Sequence, residues 1–274
     1  MESSPGRERF RRIRRVASVE IDHFDGGPSS RWTRWLQGTG QIECGDSTVR
    51  LVTRAARAGQ YSDAQLDDYH TSPRRQWPWR PPLKLSLRAR ASHPHLVGTA
   101  GFGFWNDPFT LSGSVTALPQ AIWFFYASPP SNMALVPDVP GCGWKAAIVN
   151  ATWSNALRSG VPAAIAVLWA RLTGRATSAA RWVQRISGAQ EALVAIDWTE
   201  WHTYELDWRR DAASFCVDRV QVLQASQPPR GPLGFVAWVD NQFAISTPRG
   251  EFRFGLLDAP GDQWLELDWI RIEG

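Results

Sequence analysis

Residues 101–126 have the sequence GFGFWNDPFTLSGSVTALPQAIWFFY, in which two aromatic-rich runs flank a segment of turn-forming residues. Large flat side chains favour the pleated surface of a β-sheet, whereas Gly, Asn, Asp, Pro and Ser favour turns. The stretch therefore predicts two β-strands joined by a loop, and the remaining chain is interpreted around them.

Short strands are predicted on both sides of this stretch. Ala17–Phe24 (ASVEIDHF) and Leu83–Ala91 (LKLSLRARA) alternate apolar and polar residues before it. After it, further strands are predicted at Ala192–Ile196, His202–Trp208, Ser214–Leu223, Gly234–Asp240, Gly250–Leu257 and Trp264–Ile272. Many short strands spaced by roughly 8–12 residues indicate an antiparallel sandwich or barrel.

Positive charge is concentrated at the N-terminus. Residues 1–15 contain six Arg and two Glu, and their net charge of +4 equals that of the whole chain. We therefore predict a basic flexible arm at residues 1–16 and a nearly neutral domain at 17–274, which disfavours nucleic acid as a partner. Without an apolar signal segment or a run of about 18 apolar residues, the predicted location is cytoplasmic.

Residues 155–188 interrupt the strand pattern. Pro162 fits a first helical position, Thr177 an N-cap, and Gly174 and Gly188 two helix ends. The segment predicts an inserted α-helical hairpin. Its apolar stripe is expected to pack against the sandwich. The alternative is that the hairpin forms a lid or contacts a membrane surface, and the Arg-rich arm is a further candidate for such a membrane contact.

Four segments resemble strands of the family 16 glycoside hydrolases in the concanavalin A-like lectin/glucanase superfamily. These are SVEIDHFDGG (Ser18–Gly27), GFGFWNDPF (Gly101–Phe109), WHTYELDWRRDAASFCVDRVQVL (Trp201–Leu223) and WLELDWIRIE (Trp264–Glu273). The resemblance covers residues 17–274 apart from the insertion. It implies an all-β antiparallel β-sandwich, a concanavalin A-like jelly roll, with an aromatic concave cleft.

The chain departs from the family where catalysis is expected. Family 16 enzymes place a nucleophile and an acid/base in a Glu-x-Asp-x-x-Glu strand. The corresponding strand, Pro119–Ala127 (PQAIWFFYA), contains no acidic residue. The retaining two-glutamate mechanism is therefore not expected, and whether the protein is an enzyme stays open.

A second departure concerns a hairpin turn. The family has Asp-Gly where this chain has Asp218-Arg219. A type I′ turn needs positive φ at both central residues, which Arg disfavours. We expect a longer turn or another turn type.

The candidate ligand-binding residues lie near the presumed groove. Trp238 and Asp240 share one face of the strand Gly234–Asp240, as a sugar platform with a polar neighbour would require, although a polar strand end explains the pattern equally well. Asp107 and Asp240 are the candidate acids, and Asp107 would need another carboxylate beside it. The full set of ligand candidates is Trp105, Asn106, Trp123, Tyr126, Trp238 and Asn241.

No metal or cofactor site is predicted. The two imidazoles of His93-Pro94-His95 lack a third ligand at a recognisable place. Whether Trp123 and Phe125 or Gln120 and Tyr126 face the cleft depends on the parity of their strand.

Two function classes stay open. The first is a non-standard relative of family 16 enzymes that binds a carbohydrate, or a glycosylated or apolar small molecule, in the aromatic cleft. The alternative is an intracellular enzyme or binding protein for an apolar small molecule, with the helical hairpin as lid or membrane-surface contact.

Overall fold

The computed structural model describes residues 19–108, 117–133, 136, 138–151, 188–246 and 252–274. The predicted basic arm lies outside the described residues, as does nearly all of the predicted helical hairpin. The described part is antiparallel β-structure with one 3-10 turn at Arg74–Gln76, which confirms the all-β class. In these ranges, no helix has the length and apolar character needed to cross a bilayer.

In chain order, the strands of the described part are β1 Val19–Asp22, β2 Thr33–Gln37, β3 Gly40–Cys44, β4 Val49–Thr53, β5 Asp63–Asp67, β6 Leu83–Ala91, β7 Thr99–Trp105, β8 Gln120–Ala127, β9 Gly143–Asn150, β10 Gln190–Leu193, β11 His202–Trp208, β12 Ala212–Val217, β13 Val220–Ser226, β14 Gly234–Asp240, β15 Gln242–Ser246, β16 Phe252–Leu256 and β17 Gln263–Glu273.

These strands form two large antiparallel sheets and one separate hairpin. The eight-stranded sheet has the order β13-β12-β11-β6-β17-β4-β3, with β1 also paired to β17. The seven-stranded sheet has the order β10-β9-β8-β7-β14-β5-β2, and β15 pairs with β16. The two aromatic runs of the sequence are thus neighbouring strands near the middle of the seven-stranded sheet, with Phe102 opposite Phe124.

The main core lies between the two large sheets. From the eight-stranded sheet, β6 buries Leu83, Leu85 and Leu87 while its intervening residues are less buried. From the other sheet, Phe124 packs with its ring centroid 5.4 Å from that of Phe215. Because side chains alternate across a strand, the even-numbered residues of β8 face this core and the odd-numbered residues face outward.

The outward face of the seven-stranded sheet (the outer face) is also largely apolar. Every residue of β7 and of β14 is buried. A second hydrophobic cluster, separate from the inter-sheet core, accounts for this burial. A strand buried on both faces loses the apolar–polar alternation that marks a half-exposed strand.

The turn between β12 and β13 differs from the sequence-based expectation. It is a two-residue hairpin turn in which Asp218 has φ +48° and Arg219 has φ +68°. The prediction of a longer or different turn was wrong because Asp218 is held from outside the turn. Its carboxylate accepts a hydrogen bond from the N–H of Thr203 at 2.9 Å and contacts Nδ1 of His202 at 2.6 Å.

Candidate functional site

An aromatic cluster occupies the centre of the outer face. It consists of Trp105 of β7, Trp123 and Phe125 of β8, and Trp238 of β14. The centroid of the Trp123 ring lies 5.3 Å from those of Phe125 and Trp238 and 6.0 Å from that of Trp105. Trp123 is half-buried, whereas each of the other three residues is 8% exposed. The cluster is therefore an apolar floor on which Trp123 is the most accessible ring.

Two glycines of β7 make room for these rings. A Cβ at Gly101 would lie 2.8 Å from Cη2 of Trp238, and a Cβ at Gly103 would lie 2.6 Å from Cβ of Trp123. Carbon atoms do not approach this closely without a clash. The glycines thus allow both tryptophans to lie close against the backbone of β7.

A polar chain fixes the orientation of Trp238. Its Nε1 donates to Oγ1 of Thr99 at 2.9 Å, and the Thr99 hydroxyl donates to Oδ1 of Asp240 at 2.8 Å. The same carboxylate oxygen accepts hydrogen bonds from the N–H groups of Thr99 and Gln242. These donors lower the pKa of Asp240 less than burial raises it, and its value is about 6.

Asp63 faces Asp240 across neighbouring strands. The two residues are direct partners in the β5–β14 ladder, and they are 1% and 6% exposed, respectively. Neither carboxyl oxygen of Asp63 has a hydrogen-bond partner in the described part of the chain. The Tyr61 hydroxyl is near enough to lower the pKa of Asp63 without meeting hydrogen-bond geometry.

Burial raises the pKa of Asp63 well above its ordinary value, and the charge of Asp240 raises it further. Burial and the neighbouring charge therefore both favour the protonated form of Asp63. Sequence reasoning missed Asp63. The period-two pattern Asp63-Ala64-Gln65-Leu66-Asp67 would have placed polar side chains on one face of this strand.

The opposite flank of the outer face contains a buried ion pair. Nζ of Lys145 in β9 donates to Oε2 of Glu191 in β10 at 2.9 Å and to the Pro140 carbonyl oxygen at 2.9 Å. Burial raises the pKa of Glu191, and the Lys145 ammonium opposes that shift. The aromatic cluster thus lies between two groups of buried charged or titratable side chains.

The structure brings three of the six predicted ligand residues together. Trp105, Trp123 and Trp238 belong to the aromatic cluster. The parity left open by the sequence places Trp123 and Phe125 on the outer face.

The other three predicted ligand residues have structural contacts. Tyr126 faces the inter-sheet core and its hydroxyl donates to the Leu96 carbonyl oxygen at 3.1 Å, because it has even parity in β8. The Asn106 side chain clamps two backbone groups, donating to the Leu118 carbonyl oxygen and accepting from the Gln120 N–H. Tyr126 and Asn106 thus have partners within the chain, and a ligand contact at either residue stays a prediction.

Asn241 is likewise a clamp between loops. Its Oδ1 accepts from the Ser62 N–H at 3.0 Å, and its Nδ2 donates to the carbonyl oxygens of Arg57, Gln60 and Leu257. The residue is fully buried. Each polar atom of the side chain is thus bonded to the backbone, and a ligand contact at Asn241 stays a prediction.

The two candidate acids cannot act as a pair. Asp240 is paired with Thr99 at the start of β7, whereas Asp107 follows the end of that strand. At about 3.3 Å per residue, β7 from Thr99 to Trp105 alone spans about 20 Å, far beyond the roughly 5–10 Å between glycosidase carboxyl groups. Asp107 is fully buried with φ +42°, and its carbonyl oxygen accepts a hydrogen bond from Arg74 at 2.8 Å.

Among the residues that the structure describes, no three His, Cys, Asp or Glu side chains are grouped to hold a metal ion. His93 and His95 are both exposed. The outer face therefore offers aromatic surface and buried acid, amide and imidazole groups as its chemistry.

No protein-family profile and no curated protein matches this sequence. The fold, in contrast, occurs in solved structures. The GlcNAcα1-4Gal-releasing endo-β-galactosidase from Clostridium perfringens is similar with a TM-score of 0.53 at 12% identity, over 95% of this chain. The present chain spans 63% of that enzyme's length.

Two glucanases are similar over nearly their whole length. A prokaryotic β-1,3-1,4-glucanase (lichenase) from a mouse hindgut metagenome has a TM-score of 0.53 at 12% identity, covering 93% of this chain and 98% of its own. SCLam, a non-specific endo-β-1,3(4)-glucanase from family GH16, has a TM-score of 0.51 at 13% identity, covering 94% and 91%. Identities this low establish architecture and not activity. The protein has the concanavalin A-like β-sandwich fold of the family 16 glycoside hydrolases.

Proposed function

We propose that the protein binds a glycan on the outer face of its seven-stranded sheet, with the aromatic cluster as the platform. The observation that carries this proposal is the half-buried Trp123 ring, surrounded by Trp105, Phe125 and Trp238 at 5.3–6.0 Å. Trp123 stands on β8, the strand that by resemblance corresponds to the catalytic strand of family 16 enzymes.

The chemistry of the platform suits a sugar ring. Aromatic faces attract the C–H faces of a pyranose, while nearby polar groups bind its hydroxyls. The polar chain from Trp238 through Thr99 to Asp240 holds one edge of the platform in a single orientation. A ring that is already ordered loses little conformational entropy when a ligand binds.

The similar solved structures support the glycan class. Their names describe an endo-β-galactosidase, a lichenase and an endo-glucanase, all of which act on polysaccharide or oligosaccharide chains. The similarity is limited to the fold. The type of sugar and of glycosidic linkage that this protein binds therefore depends on its own side chains.

We further propose binding without the retaining two-glutamate reaction. Strand β8, Gln120–Ala127, has no carboxylate on either face. The carboxyl pair on the outer face, Asp63 and Asp240, lies on β5 and β14 and is nearly excluded from solvent. Hydrolysis needs a carboxyl that reaches both the glycosidic oxygen and a water molecule.

A second candidate is an apolar or aromatic small molecule as ligand. The low exposure of Trp105, Phe125 and Trp238 favours it, because such a surface resembles an apolar pocket. In that case the insertion at 155–188 would act as lid or membrane-surface contact. Nearly all of the insertion lies outside the described residues, and its helices, like the cytoplasmic location, stay predictions.

Calorimetric titration with laminarihexaose, a mixed-linkage β-glucan hexasaccharide and a β-1,4-galactan oligosaccharide tests the proposal. We expect one of them to bind, and Trp123→Ala to weaken that binding about thirtyfold, since losing an aromatic anchor costs about 2 kcal/mol. The matched control is Trp201→Ala. Trp201 directly precedes β11 of the other sheet, and Arg88 and Arg90 lie over its ring, so its loss is expected to leave affinity unchanged.

Two results would contradict the proposal. The first is that none of the three oligosaccharides binds. In that case, saturable binding of an apolar dye such as 1-anilinonaphthalene-8-sulfonate would favour an apolar small molecule as the ligand. The second is unchanged affinity of Trp123→Ala with a native circular dichroism spectrum. Release of reducing ends from laminarin or lichenan would refute binding without turnover.

A further inference from the structure

His70 is held rigidly beside the outer face, just after β5. The ring stacks between Trp35 of β2, at 4.3 Å between centroids and 15° between planes, and Tyr69, at 5.0 Å and 19°. Its Nδ1 lies 2.6 Å from Oδ2 of Asp67, which also accepts a hydrogen bond from Nε2 of Gln65 at 2.9 Å. The other Asp67 oxygen accepts the N–H groups of Tyr69 and His70.

This arrangement determines which ring nitrogen of His70 is available. Both Asp67 oxygens act as acceptors, so the proton of a neutral ring is on Nδ1 and Nε2 presents a lone pair. Nε2 is buried, with the side chain 7% exposed, and has no hydrogen-bond partner in the described ranges. Nε1 of Trp35, in the ring stacked on it, is likewise buried and unpartnered there. Each such group costs roughly 1–3 kcal/mol if it stays unpaired.

A second Asp–His pair in the same protein shows the contrast. Nδ1 of His202 lies 2.6 Å from Oδ2 of Asp218, the same distance as in the His70 pair. Its Nε2, however, is 2.9 Å from the Asp197 carbonyl oxygen, so both ring nitrogens have partners within the chain. Within the described residues, both ring nitrogens of His202 are hydrogen-bonded, whereas Nε2 of His70 has no partner.

His70 adjoins the aromatic cluster through Tyr69. The Tyr69 ring lies 6.3 Å from that of Trp105, and its hydroxyl accepts hydrogen bonds from Nε1 of Trp105 at 2.7 Å and Nε2 of Gln65 at 3.2 Å. The buried ring of Tyr69 therefore connects the aromatic cluster to His70.

We propose that His70 and Trp35 form a hydroxyl-binding subsite for the glycan of the proposed function, on which this inference rests. Nε2 of His70 accepts a hydrogen bond from one hydroxyl of a sugar ring, and Nε1 of Trp35 donates to a neighbouring oxygen. One acceptor with one donor matches hydroxyl groups. An anion would require donors at both positions, and a metal ion would require ligands that the surrounding described residues do not supply.

The test compares His70→Phe with His202→Phe. Phenylalanine keeps a flat ring between Trp35 and Tyr69 but removes both nitrogens, and His202→Phe removes the same groups from the completed pair. With the best-binding oligosaccharide among laminarihexaose, mixed-linkage β-glucan hexasaccharide and β-1,4-galactan oligosaccharide, we expect His70→Phe to weaken binding about tenfold. His202→Phe should bind as the wild type does. Trp35→Phe, which keeps the stack and loses Nε1, should weaken binding several-fold.

A spectroscopic measurement does not depend on the variants folding. In nitrogen-15 NMR spectra of the wild type, the Nε2 resonance of His70 should shift when methyl β-D-glucopyranoside is added, while that of His202 should not. Unchanged affinity in both His70→Phe and Trp35→Phe would overturn the subsite and leave the proposed function standing if Trp123→Ala still weakens binding. If the wild type binds no oligosaccharide, the proposed function fails, and an unshifted His70 Nε2 then overturns the subsite as well.

Discussion

Replacing Asp240 with asparagine is expected to stabilise the fold at neutral pH. Burial raises the pKa of Asp240 from 3.8 to about 6, so folding disfavours the ionised carboxylate. With about 1.4 kcal/mol for each pKa unit, the charge destabilises the folded state by about 3 kcal/mol above pH 6. Asparagine keeps an oxygen for the three donors on Oδ1, from Thr99 and Gln242, and removes the charge opposite Asp63.

The sign of the pH dependence follows from the raised pKa. Between about pH 4 and pH 6 the folded protein binds a proton at Asp240 that the unfolded chain releases. The favourable contribution of neutral Asp240 is therefore complete below pH 4 and is lost as the pH rises through 6. In Asp240→Asn this slope disappears, and the free energy of unfolding at pH 7.5 is expected to rise by about 1–3 kcal/mol because part of the gain offsets weaker hydrogen bonds.

Urea denaturation of the wild type and of Asp240→Asn at pH 4.5, 6 and 7.5 measures this effect. Asp211→Asn is the matched control, since its side chain is 88% exposed and its loss should change stability by less than about 0.5 kcal/mol. Parallel pH profiles of wild type and Asp240→Asn, or a less stable Asp240→Asn at pH 7.5, would refute the reasoning.

Two further predictions concern stability. Lys145→Met should lower the free energy of unfolding by about 3–5 kcal/mol, because it leaves the buried Glu191 carboxylate without the Lys145 ammonium. In urea denaturation, the double variant Lys145→Met/Glu191→Gln should recover part of this loss. Equal stability of the single and double variants would contradict the prediction. Arg219→Gly should raise the free energy of unfolding by about 0.5–1 kcal/mol, because φ +68° strains any side chain with a Cβ. A thermal midpoint lower than that of the wild type would show that the turn is not strained.

Local sequence pattern was sufficient for the class of fold. The alternation of Leu83, Leu85 and Leu87 predicts a strand with one buried face, and the aromatic runs at 101–105 and 120–126 predict two more. The structure pairs those runs as β7 and β8 in one sheet of a sandwich. These features depend on neighbours in the chain, which is why they are visible in the sequence.

The positions of the candidate site residues depend instead on distant parts of the chain. Asn241 bonds to Ser62, 179 residues away, and Asp240 bonds to Thr99, 141 residues away. No local pattern distinguishes this clamp from a ligand contact, and none reveals that Asp63 lies opposite Asp240. The same limit applies to His70, because its contacts with Asp67 and Trp35 are visible only in the folded chain.

The direction of the side chains on β8 was equally hidden in the sequence. Trp123 faces outward and Phe124 inward, yet both residues are aromatic and β8 carries no charged side chain on either face. Alternation reveals direction only when one face of a strand meets water. Because the strand is buried on both faces, the packing of the second sheet decided which rings became core and which joined the aromatic cluster of the outer face.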